Sequence, residues 1–151
     1  MEYQCTIEET KAQPVVSVRI VTPVKNLFNE LENTHAYLLT YLQEIGEKPV
    51  GPIFAAYYNW DLTQLDVEIG FPLGKSICGD GNIYPSEIPG GRKATTFYTG
   101  PYKKIAPAYK TLSTYIQDNG YEAGLNYEFY YNSIRDVQES ELLTKIVYLL
   151  K

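Results

Sequence analysis

The stretch Thr40-Tyr41-Leu42-Gln43-Glu44-Ile45-Gly46 returns 74 residues later as Thr114-Tyr115-Ile116-Gln117-Asp118-Asn119-Gly120. Farther on, Tyr57-Tyr58-Asn59 returns after 73 residues as Tyr130-Tyr131-Asn132, and a one-residue deletion reconciles the two offsets. Pro23 and Pro101 mark equivalent helix starts. Short identities that keep their order and fall at the same structural stations indicate an internal duplication. The period is longer than a solenoid repeat, so two halves related by a pseudo-two-fold axis are expected.

Each half reads as β-α-β-β. In the first, residues 15–20 (VVSVRI) are β-branched and short, as a strand requires. Thr22-Pro23 then offers an N-cap and a proline pre-organised for the first helical position. Val24, Leu27, Phe28, Leu31, His35, Leu38, Leu42 and Ile45 recur at helical spacing, and Gly46 is a natural stop. His35 on this apolar stripe reads as a satisfied core histidine. Two strand-like runs follow, 53–58 (IFAAYY) and 64–71 (QLDVEIGF). In the second half, 93–99 (KATTFYT) is a strand and Gly100-Pro101 occupies the helix start. Ile105, Ala108, Tyr109, Leu112, Tyr115 and Ile116 form the next apolar stripe. Pro107 inside it predicts a short first turn and a main helix from about Ala106, closed by Gly120. Residues 126–131 (NYEFYY) and 142–149 (LLTKIVYL) are the closing strands.

Between the halves, residues 74–91 are rich in glycine, proline and small polar residues and read as a linker, with Gly79-Asp80-Gly81 a turn. The first repeat thus covers about 1–73 and the second about 92–151 of a single 1–151 domain. The expected class is α+β: an antiparallel sheet, helices on one face and a ligand groove between the halves. A lone half would leave a sheet face poorly covered, and a seam between two halves supplies concave surface.

Side chains alternate along a strand. Asn126, Glu128 and Tyr130 therefore share one face, and Tyr127, Phe129 and Tyr131 the other. A carboxylate among aromatics is expected to point to water or a cavity, not into the helix-packed core. The 73-residue offset sets Ala55 and Tyr57 opposite Glu128 and Tyr130, with small Ala55 leaving room for Glu128. Val67, Ile69 and Phe71 share a core face, so Glu68 looks the other way; its counterpart is Lys145, either as an ion-pair partner or as a separately solvated charge. Trp60, in a turn, either caps the groove mouth or shields a core edge.

Composition narrows the function classes. A net charge of -5 and no basic run argue against sequence-independent phosphate binding, so no direct nucleic-acid partner is expected. Residues 1–11 carry three glutamates and no apolar leader core, and no stretch is long enough to span a bilayer, so a cytoplasmic protein without a membrane partner is expected. Two distant cysteines, Cys5 and Cys78, read as free thiols; with His35 the one histidine, no metal site or cofactor is expected. The 15 tyrosines serve either a β-rich core with surface hydroxyls or an aromatic-lined pocket.

Glu68-Ile69-Gly70-Phe71-Pro72, Ile88-Pro89-Gly90-Gly91, Ala94-Thr95-Thr96, Gly100-Pro101-Tyr102 and Tyr127-Glu128, in that order, resemble the GyrI-like family. It includes the effector-binding domains of AraC- and MerR-type multidrug regulators. The resemblance implies a groove with a central glutamate, matched by Glu128, flanked by aromatics and open to hydrophobic or cationic ligands. A carboxylate there attracts organic cations, tyrosine faces add cation–π attraction, and desolvation raises its proton affinity. The regulators' DNA-binding helical domain is not read in this sequence, so transcriptional regulation by this chain alone is not expected. Relatives carry an acidic residue where Lys145 stands, which changes the groove charge.

Three functions follow from the resemblance. The first is sequestration of drugs or toxins, with Glu128, Glu68, Tyr57, Tyr130, Trp60, Tyr98 and Ala55 as ligand-binding residues. The second is cofactor-free hydrolysis of cyclopropanoid DNA-alkylating toxins, with Glu128 as base and Tyr57 or Tyr130 hydrogen-bonding the substrate carbonyl. The third is a gyrase-inhibitor-type protein partnership, an acidic protein competing with DNA.

Overall fold

The computed structural model describes residues 3–151; the first two residues of the N-terminal stretch 1–11, read above for a leader core, fall outside the described residues. The chain order is β1 (Cys5–Thr10), β2 (Gln13–Thr22), α1 (Leu27–Glu44), β3 (Ile53–Tyr57), β4 (Leu65–Pro72), β5 (Tyr84–Ile88), β6 (Gly91–Thr99), α2 (Ala106–Asp118), β7 (Ala123–Tyr130) and β8 (Leu143–Leu150). It is a mixed α+β fold of antiparallel strands with two helices. Two units divide the chain, one of Ala12–Pro89 and one formed by the stretch up to Lys11 together with Gly90–Lys151.

The α1 unit has strand order β3-β4-β2-β5, and the α2 unit β7-β8-β6-β1. Each is therefore a four-stranded antiparallel sheet with one helix. In both, a proline stands just ahead of a single 3-10 turn, Val24–Asn26 or Tyr102–Lys104, and the main helix follows. Pro107 sits in the first turn of α2, where a missing N–H costs nothing. Gly46 and Gly120 end the helices with φ of 75° and 78°, a conformation a Cβ would strain.

The pairing registers repeat as closely as the strand order. In the α1 unit Ser17 faces Gly70 and Arg19 faces Glu68; in the α2 unit Thr95 faces Val147 and Phe97 faces Lys145. Glu68 and Lys145 thus hold equivalent stations. Likewise Ala55 faces Ile69 and Tyr57 faces Val67, as Glu128 faces Ile146 and Tyr130 faces Thr144. The offset of 73 residues read from the sequence holds along β3 and β7, while the equivalent residues of β4 and β8, such as Ile69 and Ile146, stand 77 apart.

Two elements depart from the sequence reading. The stretch 74–91 is not wholly a loop: its residues Tyr84–Ile88 form β5 on the edge of β2. Cys5–Thr10, read for its charge, is the edge strand β1 on β6. Both are edge strands with much exposed surface, so neither needs the continuous apolar run by which strands announce themselves. Pro85 in β5 is tolerated because an edge strand leaves one row of groups unpaired.

Each helix covers one face of its own sheet. In the α1 unit that face carries Val16, Val18, Ile69 and Phe71, all buried, and His35 of α1 meets Phe71 edge-on at 5.2 Å. In the α2 unit Ala94, Tyr98 and Ile146 pack against Ala108, Leu112 and Ile116. Leu112 is fully buried there. Leu112→Ala should cost about 3 kcal/mol through lost transfer energy and the cavity left behind. Lys110→Ala on the exposed side of the same helix should stay within about 0.5 kcal/mol. Urea denaturation of the two variants checks both values.

Candidate functional site

Residues directly opposite in an antiparallel ladder project to the same face. Glu128 faces Ile146, and Ile146 belongs to the core under α2. Glu128 therefore lies on the helix side of its sheet, with Asn126 and Tyr130. The sequence grouping of these three stands, but the expectation that the carboxylate avoids the helix-packed side is corrected. Hydroxyl donors make that placement affordable in free-energy terms, since a desolvated carboxylate needs hydrogen bonds.

Tyr130 Oη donates to Glu128 Oε1 at 2.7 Å, and Tyr109 Oη of α2 donates to Oε2. Tyr109 Oη also lies 2.9 Å from Asn126 Oδ1. Asn126 Nδ2 donates to the Val147 carbonyl at 3.1 Å, which turns its oxygen toward Tyr109. A phenol has one proton, so Tyr109 donates to one acceptor at a time. Tyr102 meets Tyr130 edge-on at 5.8 Å, and Tyr148 meets Tyr109 edge-on at 6.1 Å. Burial, followed by the charge of Glu128, pushes the pKa of the Tyr102 and Tyr148 hydroxyls upward. The result is one half-buried carboxylate among Tyr102, Tyr109, Tyr130 and Tyr148, drawn from the α2 approach, α2, β7 and β8.

The other anticipated residues are each held within their own unit. Tyr98 is buried in the α2 core and its Oη donates to the Pro101 carbonyl at 2.6 Å, bracing the helix entry. Ala55 and Tyr57 lie on the α1 side of the other sheet, and Tyr57 stacks on Trp60 at 5.4 Å. Trp60 itself is 60% exposed. Tyr102, Tyr109 and Tyr148 are the residues that sequence reasoning did not single out as a site. Their signal was present for two of them: Tyr109 sits on the α2 stripe, and Tyr148 shares parity with Ile146.

Glu68 occupies the sheet face away from α1, as its parity requires. It is 7% exposed and accepts hydrogen bonds from Ser17 Oγ at 2.6 Å and Tyr58 Oη at 2.8 Å. Arg19 lies 3.5 Å over the Tyr58 ring and grips Asp66 with two hydrogen bonds of 2.6 and 2.9 Å. That grip holds the Asp66 carboxyl below its ordinary pKa. Lys145, at the station equivalent to Glu68, pairs instead with Glu8 at 3.2 Å in its own unit. Among the described residues no group of three or more His, Cys, Asp or Glu is placed to hold a metal ion. Among the described residues, too, no helix is long and apolar enough to cross a membrane.

The model of the GyrI-like small molecule binding domain matches residues 3–151. The chain belongs to this family. No curated protein matches it. EcmrR, in a structure of its DNA complex, superposes with a TM-score of 0.84 at 24% identity over 99% of this chain, which spans 57% of that one. The C-terminal domain of EcmrR gives 0.76 at 23% identity, covering 100% of this chain and 99% of that one. SAV2435, solved with tetraphenylphosphonium bound, gives 0.69 at 12% identity over 100% and 94%. At these identities the likeness is one of fold.

The Glu68 cluster makes a pH prediction. Burial first, then the hydrogen bond to Glu68 and its charge, push the Tyr58 pKa up to about 12. The unfolded tyrosine ionises near pH ~10, so between there and about 12 the folded state holds more protons than the unfolded one. Stability present below pH ~10 is therefore lost as pH rises through this window. Tyr58→Phe should remove part of that loss, giving a shallower fall of Tm with pH than the wild type in thermal melts.

Proposed function

We propose that this GyrI-like chain binds hydrophobic or cationic aromatic small molecules, with the ligand's charge met by Glu128. The observation that carries the reading is the carboxylate set among four tyrosines on the α2 side of its sheet. Aromatic faces attract a cation by their quadrupole, and a partly desolvated carboxylate attracts it by charge. A bulky organic cation loses little hydration on entry, so both attractions are kept. Rings held edge-on to one another hold their positions and reduce the ordering cost of binding. Tetraphenylphosphonium, the ligand in the SAV2435 structure, has this chemistry and is the natural first probe. Sequestration of a drug or toxin is the corresponding biological role.

A hydrolytic role would draw on the same carboxylate, as a base for water. The geometry favours binding, because each Glu128 oxygen already accepts a tyrosine hydroxyl. Such a carboxylate is better arranged as a fixed counter-charge than as a proton acceptor.

A thermal-shift assay tests the reading. Tetraphenylphosphonium, a neutral planar aromatic and a cyclopropanoid electrophile are compared on wild type and Glu128→Gln, with mass spectrometry for products. The cation at about a hundred times its Kd should raise the wild-type Tm by about 5–10 °C. Glu128→Gln should lose most of that shift while melting normally on its own. No cation-dependent shift in the wild type would overturn the reading, and Glu128-dependent product would replace it with hydrolysis.

A further inference from the structure

Thr144 is fully buried, and its Oγ1 is, among the described residues, the buried side-chain polar atom with no hydrogen-bond partner. It lies on β8 directly opposite Tyr130 on one side and Tyr98 on the other. By the ladder rule it shares the α2 face with Tyr130 and with Glu128, two residues further along β7. Diagonal neighbours in such a ladder are within reach of one modest ligand.

The duplication shows what this position requires structurally. In the α1 unit the residue facing Tyr57 is Val67, just as Thr144 faces Tyr130. Val67 is also fully buried. Valine and threonine have almost the same shape, so the fold needs the β-branched volume and not the hydroxyl. A buried hydroxyl without a partner is a cost that valine avoids. The neighbouring station differs in the same sense, Ala55 in one unit and Glu128 in the other. Two adjacent stations that are apolar in one copy are thus polar in the other, and both lie in the tyrosine-lined site.

Resting on the binding reading above, we infer that Thr144 selects among cations: Oγ1 accepts a hydrogen bond from an N–H of the ligand's charged group. The group next to an anionic Glu128 is cationic, and the hydrogen-bonding capacity of such a group is donor capacity. A protonated amine or amidine can use Thr144; a quaternary onium ion, with no N–H, cannot. Glu128 supplies attraction common to both classes and Thr144 the discrimination between them, because a site built to hydrogen-bond a polar group rejects the analogue that lacks it.

The test uses a matched pair of probes, naphthylmethyl-dimethylammonium, which carries one N–H, and its N-methylated quaternary counterpart. Calorimetric titration is run on wild type, Thr144→Val, Thr144→Ser and Glu128→Gln. Thr144→Val should weaken the N–H probe about tenfold and change the quaternary probe less than about twofold. Thr144→Ser, which keeps the hydroxyl, should restore preference for the N–H probe. Equal losses for both probes, or no loss for either, would overturn the role of Thr144 while leaving Glu128-dependent cation binding in place. If neither probe binds the wild type, the cation reading itself fails and this inference with it. Should Thr144→Val melt below the assay temperature, the Ser variant decides: a lost preference with the hydroxyl intact also overturns the inference.

Discussion

A carboxylate placed under a helix constrains everything around it. Glu128 is on the α2 side of its sheet, where an unsatisfied charge would be prohibitive. Its oxygens are met by Tyr130 from its own strand and Tyr109 from the helix. Tyr109 can reach it because α2 begins where Pro101 and the short turn Tyr102–Lys104 direct it. Tyr98 braces that entry through the Pro101 carbonyl. The helix entry, the strand register and the tyrosine ring are parts of one requirement.

Duplication gave this chain two copies of one frame, and the copies have diverged by polarity on unlike faces. The α1 unit keeps an apolar helix side, with Ala55 and Val67, and places its buried carboxylate, Glu68, on the opposite face. There Ser17 and Tyr58 hold it, and Arg19 stacks over the tyrosine. The α2 unit does the reverse. Its polar pair, Glu128 and Thr144, is on the helix side, while Lys145 on the other face is matched by Glu8. Equivalent registers carrying different chemistry are what separate a shared fold from a site. That separation is also why family membership leaves the ligand open.

Much of this was written in the chain. The repeat, both helices with their proline starts and glycine stops, and six of the eight strands follow from periodicity and punctuation. So does the grouping of Asn126, Glu128 and Tyr130 on one face, because strand alternation is a local property of the backbone. The equivalences of Ala55 with Glu128 and of Glu68 with Lys145 also followed from the repeat alone. The two strands not read, β1 and β5, are edge strands whose exposed, charged or proline-bearing sequences lack a strand's apolar signature.

What only the tertiary structure decided is which face the helix covers and which side chains reach across to it. Alternation sorts residues into two sets and is silent on which set is roofed. That depends on β8 pairing Ile146 with Glu128 and on α2 packing over Ile146. Tyr102, Tyr109 and Tyr148 come from separate elements, so no local spacing joins them to Glu128. The unpartnered hydroxyl of Thr144 likewise exists only once its neighbours are in place, since in sequence it is one threonine among many. The sequence by itself determined the frame and its repetition, through local backbone preference. Folding determined the site, because a site is made of contacts between residues far apart in the chain.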